Sequence, residues 1–139
     1  MKVNSLKFDR IVDMLSDLAE MSVMLQRHAC ALIIGGKIMA MCENKDGKPD
    51  NHSEMNVISA YLIKNKPSNL AKCTLVIIRI NRQGDIVSSK PCADCVKHLK
   101  YYGIKKIFYS SDNGFKFVSS DNLENSHKSL YFRRAAKLK

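Results

Sequence analysis

Apolar side chains recur at helical spacing near the start of the chain. Between residues 8 and 19 they return at intervals of three and four, and acidic residues stand between them. Such spacing gathers the apolar side chains on one face of a helix. The pattern therefore predicts an amphipathic helix that runs from Phe8 to near Arg27.

The next segment predicts a β-hairpin followed by a loop. An apolar run over residues 29–34 ends at Gly35-Gly36, and a second short run over 37–42 follows at once. Two glycines between two strand-like runs are typical of a tight hairpin turn. Residues 43–51 are polar and rich in turn formers, so they predict a loop.

A second helix is predicted to begin near His52 and to end at Lys66-Pro67, because proline cannot continue a helix. Apolar residues at spacings of three and four predict its inner face. They are Met55, Ile58 and Leu62.

A third helix is predicted between two strands. Residues 75–78 are continuously apolar, which is typical of a strand buried on both faces, and residues 81–85 predict a turn. Pro91 suits the first position of the next helix, and Gly103 suits the position that ends it. Residues 104–109 then predict another strand.

The predicted elements together indicate an α/β fold in one domain over residues 1–139. After a turn at Asn113-Gly114, residues 115–118 predict an antiparallel last strand, and residues 122–139 predict a helical tail. Helices that alternate with strands in this order predict a mixed sheet with helices on its faces.

Composition indicates a soluble intracellular protein. Hydrophobic residues make up 45% of the chain and charged residues 26%, as in ordinary globular domains. The longest apolar run is too short to cross a bilayer, so no membrane association is predicted, and a cytoplasmic location is expected. Five cysteines, an odd number, argue against a secreted disulfide framework. Cys30, Cys42 and Cys73 lie in apolar segments and are expected to be buried thiols.

Positive charge is concentrated in the last third of the chain. The net charge is +10, and residues 97–139 carry 10 Lys and Arg against 3 Asp and Glu. Such an excess favours anionic partners such as nucleotides or nucleic acid, and a solvated lysine-rich surface would have the same composition. His28, His98 and His127 have no motif partner and are expected to be surface or structurally satisfied histidines.

Two short motifs predict a metal site. His52-Ser53-Glu54 and Pro91-Cys92-Ala93-Asp94-Cys95 both fall at predicted helix starts. Zinc prefers nitrogen and sulfur ligands, and three protein ligands leave a fourth position for water, which is typical of a catalytic site. His52, Cys92 and Cys95 supply that number, and Zn²⁺ is the predicted cofactor.

Glu54 is the candidate for proton transfer beside the metal. Hydrolysis of a ring amine requires a group that takes a proton from water and delivers protons to the ring and to the leaving ammonia. Each motif alone has another interpretation. Asn51 and Glu54 have the spacing of a helix capping box, and Cys92 and Cys95 alone could be a redox pair or half of a structural zinc site.

The two motifs in this order resemble the signature of the cytidine deaminase superfamily, H-x-E followed by P-C-x-x-C. The resemblance covers roughly residues 8–118 and implies a three-layer fold with a five-stranded mixed sheet and helices on both faces. It implies that His52, Cys92 and Cys95 bind zinc and that Glu54 is the proton shuttle. The 36 residues between the motifs are more than is usual in the family, so a longer loop or hairpin is expected around residues 79–89.

The resemblance also suggests three substrate-binding residues. Asn44 lies where many members hold the sugar hydroxyl, Ser53 where a backbone group contacts the base amine, and Tyr109 where related enzymes have a pocket aromatic. Asn44 would equally suit a turn. The first ligand, a histidine, resembles the deoxycytidylate, tRNA-adenosine and polynucleotide branches, whereas the antiparallel last strand resembles the free-cytidine branch and some polynucleotide-acting toxins.

The resulting hypothesis is a hydrolytic deaminase of cytosine in cytidine, deoxycytidine or their monophosphates, with uracil and ammonia as products. One alternative is deamination of cytosine in single-stranded DNA or RNA, bound through the basic last third of the chain. Another is a non-catalytic zinc module that binds nucleic acid. The resemblance is also compatible with a homo-oligomer.

Overall fold

The computed structural model describes residues 5–22, 26–44 and 52–120. The helices are α1 (Ser5–Glu20), α2 (Ser53–Leu62) and α3 (Ala93–Tyr101), and a 3-10 helix covers Pro67–Lys72. The strands are β1 (Arg27–Ile34), β2 (Lys37–Glu43), β3 (Thr74–Ile80), β4 (Ile86–Val87), β5 (Lys106–Ser111) and β6 (Gly114–Ser119).

The strands form one mixed sheet, as predicted. Five of them lie in the order β2-β1-β3-β5-β6, and the two-residue β4 pairs with β3 as a sixth strand. Among the described strands only β3 and β5 run parallel, and α3 lies between them in the chain. The last pair, β5 and β6, is antiparallel, which confirms the predicted direction of the last strand.

The predicted hairpin at Gly35-Gly36 is present, and the longer loop or hairpin predicted around residues 79–89 is a hairpin. Gly35 and Gly36 join β1 to β2 with φ values of 59° and 79°, the left-handed conformation that a two-residue turn of this type requires. The extra residues between the two motifs form the β3–β4 hairpin, in which Arg79 pairs with Val87 and Ile80 with Ile86.

Helices cover both faces of the sheet. We call the face under α2 and α3 the site face and the opposite face the α1 face. Alternate residues of each strand point to opposite faces. The site face carries Cys30, Leu32, Leu75, Ile77, Ile107 and Tyr109. The α1 face carries Ala29, Ala31, Ile33, Val76, Ile78 and Ile80. Residues 75–78 are all fully buried, which confirms a central strand covered on both sides.

The predicted boundaries of the first and third helices differ from the structure. The first helix ends at Glu20, and Arg27 begins β1, because Arg27 pairs with Ile80 in the sheet and sheet pairing overrides the local helical pattern. The third helix begins at Ala93, so Pro91 precedes it by two residues. Of the predicted loop over residues 43–51, Glu43 is the last residue of β2, and residues 45–51 lie outside the described residues, as does the whole helical tail predicted over 122–139.

The second helix also ends earlier, and its inner face is rotated from the prediction. Its apolar buried residues are Val57, Ile58 and Tyr61, whereas Met55 and Leu62 are only partly buried at the edge of that core. Apolar residues occur in two overlapping series at helical spacing, and spacing alone does not say which series faces the sheet. None of the described helices is both long and apolar enough to span a membrane.

Candidate metal centre

The predicted zinc ligands lie on the site face of the sheet, where α2 and α3 begin. His52 is the residue immediately before α2, and Cys92 is the residue immediately before α3. Polar side chains at such positions often accept hydrogen bonds from the first backbone N–H groups of the helix. Neither His52 nor Cys92 does so, which leaves both side chains available to a ligand.

The three predicted ligand atoms converge. The Nδ1 atom of His52 lies 3.2 Å from the Sγ atom of Cys95 and 4.0 Å from that of Cys92, and all three ligand atoms lie within 4.8 Å of one another. A tetrahedral zinc with ordinary Zn–N and Zn–S bonds separates its ligands by about 3.5 Å. One nitrogen and two sulfurs at these distances therefore fit a zinc ion.

Hydrogen bonding favours a thiolate at Cys92 before any metal binds, whereas the hydrogen bond to Cys92 and burial raise the pKa of Cys95. A hydrogen bond from the Cys95 thiol, assisted by His52, lowers the pKa of Cys92 to about 3 despite its burial. The Cys92 sulfur in turn raises the pKa of His52 by accepting a hydrogen bond from it. The thiolate is the form of cysteine that binds metals, so the group is prepared for a cation.

Glu54 lies in the first turn of α2, directly beside this group. Its side chain is only 4% exposed, and its carboxylate interacts with the Cys95 thiol. The hydroxyl of Ser53 donates a hydrogen bond to Oε1 of Glu54 at 2.9 Å. A buried carboxylate that approaches the predicted ligands without being one of them is placed to transfer protons there.

Asn44 is buried and engaged by the protein. Its Oδ1 atom accepts hydrogen bonds from the backbone N–H of His28 at 3.0 Å and from the hydroxyl of Ser22 at 2.6 Å. Its Nδ2 group donates to the carbonyl oxygen of Gln26 at 2.6 Å. The side chain thus joins the end of β2 to the chain that enters β1.

Tyr109 lies on the site face of β5 and is only 6% exposed. It pairs with Ile77 of β3 in the parallel register. No described contact joins Tyr109 to the three predicted ligands. The substrate roles of Asn44, Ser53 and Tyr109 therefore stay predictions.

His28 is the residue near the site that the sequence interpretation missed. It is half-buried on β1 and interacts electrostatically with Glu54, Arg79 and His52, while burial lowers its pKa. A signal was available, because His28 shares strand parity with Cys30, which packs on the site face.

A comparison with protein families gives an independent assignment of the chain. Residues 8–111 match the profile of the cytidine and deoxycytidylate deaminase zinc-binding region. The chain belongs to this family. The matched residues include both motifs, so this deaminase chain carries the zinc-binding region of the family, and its cofactor is Zn²⁺.

A comparison with solved structures supports the cytidine deaminase fold. The structure is similar to that of cytidine deaminase from Burkholderia pseudomallei, with a TM-score of 0.64 and 13% sequence identity. The similarity covers 85% of this chain and 96% of the other. No curated protein sequence matches the chain.

Proposed function

We propose that this protein is a zinc-dependent hydrolytic deaminase that converts the cytosine base of cytidine, deoxycytidine or their monophosphates to uracil. The observation that carries the proposal is the buried Glu54 carboxylate beside the group formed by His52, Cys92 and Cys95, in a chain of the deaminase family. A structural zinc site has no need of an unligated carboxylate at that position.

In the proposed centre His52, Cys92 and Cys95 hold the zinc ion. When bound, zinc supplies a Lewis acid that makes a water molecule nucleophilic at neutral pH. The three protein ligands would occupy three of the four positions of a tetrahedral zinc ion and leave one for water. The Cys92 and Cys95 sulfurs would supply negative charge.

Glu54 moves the protons of the reaction. Water adds to the ring carbon that bears the amino group, the carbon–nitrogen bond breaks, and ammonia leaves. Glu54 accepts one proton from the water and transfers it to the adjacent ring nitrogen. It then accepts the proton of the hydroxyl now on the ring carbon and supplies it to the amino group, which leaves as ammonia while the carbonyl forms. The hydrogen bond from Ser53 holds one carboxylate oxygen and so orients the other.

Three further residues are proposed to hold the substrate. Only one of the two Nδ2 hydrogens of Asn44 is used by Gln26, so one remains for a sugar hydroxyl. Tyr109 would line the base pocket, and the backbone of Ser53 would contact the base amine. These roles rest on the family resemblance together with the burial of all three residues.

The deciding experiment is ammonia release by the zinc-loaded protein from cytidine, deoxycytidine, their monophosphates and adenosine. The Glu54→Gln substitution should lower kcat by about 100- to 10,000-fold, because the proton shuttle is lost, with unchanged zinc content and melting temperature. Glu20→Gln, an exposed glutamate at the end of α1, is the matched control and should retain activity. Turnover that survives in Glu54→Gln would refute the proposed role of Glu54.

A second candidate substrate is cytosine in single-stranded nucleic acid. The outer surface of α3 exposes Lys97, Lys100 and Tyr101, and the Tyr101 side chain is 82% exposed. Exposed aromatic and basic side chains together suit stacking against bases and contact with phosphates. Salt-sensitive deamination of an oligonucleotide, weakened by Lys97→Ala and Lys100→Ala, would favour this substrate.

The single-domain organisation over residues 1–139, assembly into homo-oligomers, a cytoplasmic location and a role in nucleotide metabolism also stay predictions. Size-exclusion chromatography with light scattering would test the assembly.

A further inference from the structure

Two cationic or proton-donating side chains lie together on the site face beyond the predicted zinc ligands. His28 of β1 and Arg79 of β3 are direct partners in the antiparallel register. By strand alternation they lie on the same face as the preceding partners, Cys30 and Ile77, which pack in the site-face core. The pair therefore extends the site face toward the end of β3.

Arg79 has more hydrogen-bonding capacity than the protein uses. Within the described part of the chain, its guanidinium donates one long hydrogen bond, from Nη1 to the carbonyl of Ser88 at 3.5 Å. Its Nε atom is buried and has no hydrogen-bond partner among those residues. A guanidinium has five N–H donors. Partial burial of its charge without an anionic partner costs free energy of desolvation. An anionic ligand bound at the Nη groups would balance the charge of the guanidinium.

His28 connects Arg79 to the metal centre and to the proposed sugar site. Its side chain interacts electrostatically with Glu54 and His52 of the metal centre and also with Arg79. Its backbone is held at both ends by Asn44, since the His28 N–H donates to Asn44 Oδ1 and the His28 carbonyl accepts from the Asn44 N–H. The base site at the metal centre, the sugar site at Asn44 and the side chain of Arg79 would therefore follow one another in the order of base, sugar and phosphate in a nucleotide.

We propose that His28 and Arg79 form a phosphate-binding subsite next to the metal centre, so that the preferred substrate is a cytidine or deoxycytidine monophosphate rather than the free nucleoside. This inference rests on the proposed deaminase function. The planar guanidinium matches two phosphate oxygens at once. The phosphate would favour the protonated imidazole of His28, in which Nε2 donates to the phosphate while Nδ1 lies 3.4 Å from the carbonyl oxygen of Gln26. The phosphate would supply the anion that Arg79 lacks.

The experiment compares the zinc-loaded protein with Arg79→Gln and His28→Gln. Arg82→Gln, an exposed arginine in the β3–β4 turn, is the matched control. For each protein the ratio of kcat/KM for CMP to kcat/KM for cytidine is measured, with dCMP and deoxycytidine in parallel. Arg79→Gln should lower this ratio about 10- to 100-fold, mainly through KM of the monophosphate, because charge-assisted hydrogen bonds are lost. His28→Gln should lower it less, and Arg82→Gln should leave it unchanged.

Arg79 could instead serve only to hold the chain at Ser88, three residues before Pro91. In that case Arg79→Gln would reduce turnover of CMP and cytidine equally, and an unchanged ratio would overturn the subsite. A wild-type preference for the free nucleoside, or for a cytosine-containing oligonucleotide over CMP, would overturn it as well.

Calorimetric binding of UMP and uridine separates the subsite from the deaminase proposal. If no substrate releases ammonia, the deaminase function fails, and binding still decides the subsite. Tighter binding of UMP than of uridine, lost in Arg79→Gln and kept in Arg82→Gln, would support the subsite. Equal binding of UMP and uridine to the wild-type protein would overturn it.

Discussion

The two faces of the sheet are built from the same strands and differ in chemistry. On the α1 face, Ile11, Leu15 and Ala19 of α1 pack against a wholly apolar set of strand residues. The site face has an apolar core of similar kind under α2 and α3. It also buries Glu54, Cys92 and Cys95, with the half-buried His52 beside them.

The difference lies in position along the helices. The predicted zinc ligands and Glu54 lie at the starts of α2 and α3, whereas Val57, Tyr61 and Leu99 farther along these helices belong to the apolar core. The apolar part holds the two helix starts close together, and the polar side chains at those starts carry the chemistry. Stability and zinc binding should therefore respond to different substitutions.

The largest effect should follow from the loss of a zinc ligand. Cys95→Ser should reduce bound zinc to background and lower kcat at least 100-fold, because a hydroxyl is a poor zinc ligand in a site of this type. The fold should persist, since the apolar site-face core is unchanged. Zinc per protein and ammonia release measure this. Cys73→Ala, a buried cysteine outside the group, is the control and should keep its zinc. Full zinc retention in Cys95→Ser would contradict the proposed ligand set.

A substitution that creates a cavity on the α1 face should lower the stability of the protein and leave the metal centre intact. Leu15 is fully buried, so Leu15→Ala should lower the free energy of unfolding by about 2–5 kcal/mol, as measured by urea denaturation. Zinc content and kcat below the unfolding transition should not change. Met14→Ala, at a side chain that is 48% exposed, should cost less than about 0.5 kcal/mol. Loss of zinc without loss of stability in Leu15→Ala would break the distinction between the faces.

The smallest effect should be a difference in reactivity between two cysteines of the site face, Cys73 and Cys92. Burial raises the pKa of Cys73 to about 12, whereas hydrogen bonds from Cys95 and His52 lower that of Cys92 to about 3. At pH 7.5 the metal-free protein should therefore carry a thiolate at Cys92 and a thiol at Cys73. Iodoacetamide should modify Cys92 faster, and added zinc should suppress that reaction. Peptide mass spectrometry gives both rates, and faster modification of Cys73 would contradict the assignment.

Local patterns predicted most elements of the fold. The hairpin at Gly35-Gly36, the buried strand over residues 75–78 and the antiparallel last strand follow from turn chemistry and apolar runs, and all are confirmed. The end of α1 was wrong because Arg27 is recruited into the sheet by β3, which is more than 40 residues away in the chain. Such pairing leaves no trace in a local helical pattern.

The candidate site was predictable to the extent that its residues act locally. Cys92 and Cys95 are three residues apart, one just before α3 and one in its first turn, so local chain geometry brings their sulfurs to one side. His28 and Arg79 carry no motif, and only the register of β1 against β3 brings them together.

The sequence by itself determined the kinds of ligand atoms, the pairing of Cys92 with Cys95 and the helix start at which Glu54 stands. Only the tertiary structure decided that His52 meets two sulfurs 40 and 43 residues farther along the chain, and that His28 and Arg79 join the same face. The physical reason is the difference in the sequence separation over which these interactions act. Helix and turn preferences act over a few residues, whereas the approach of distant segments depends on strand order and on which face each strand buries.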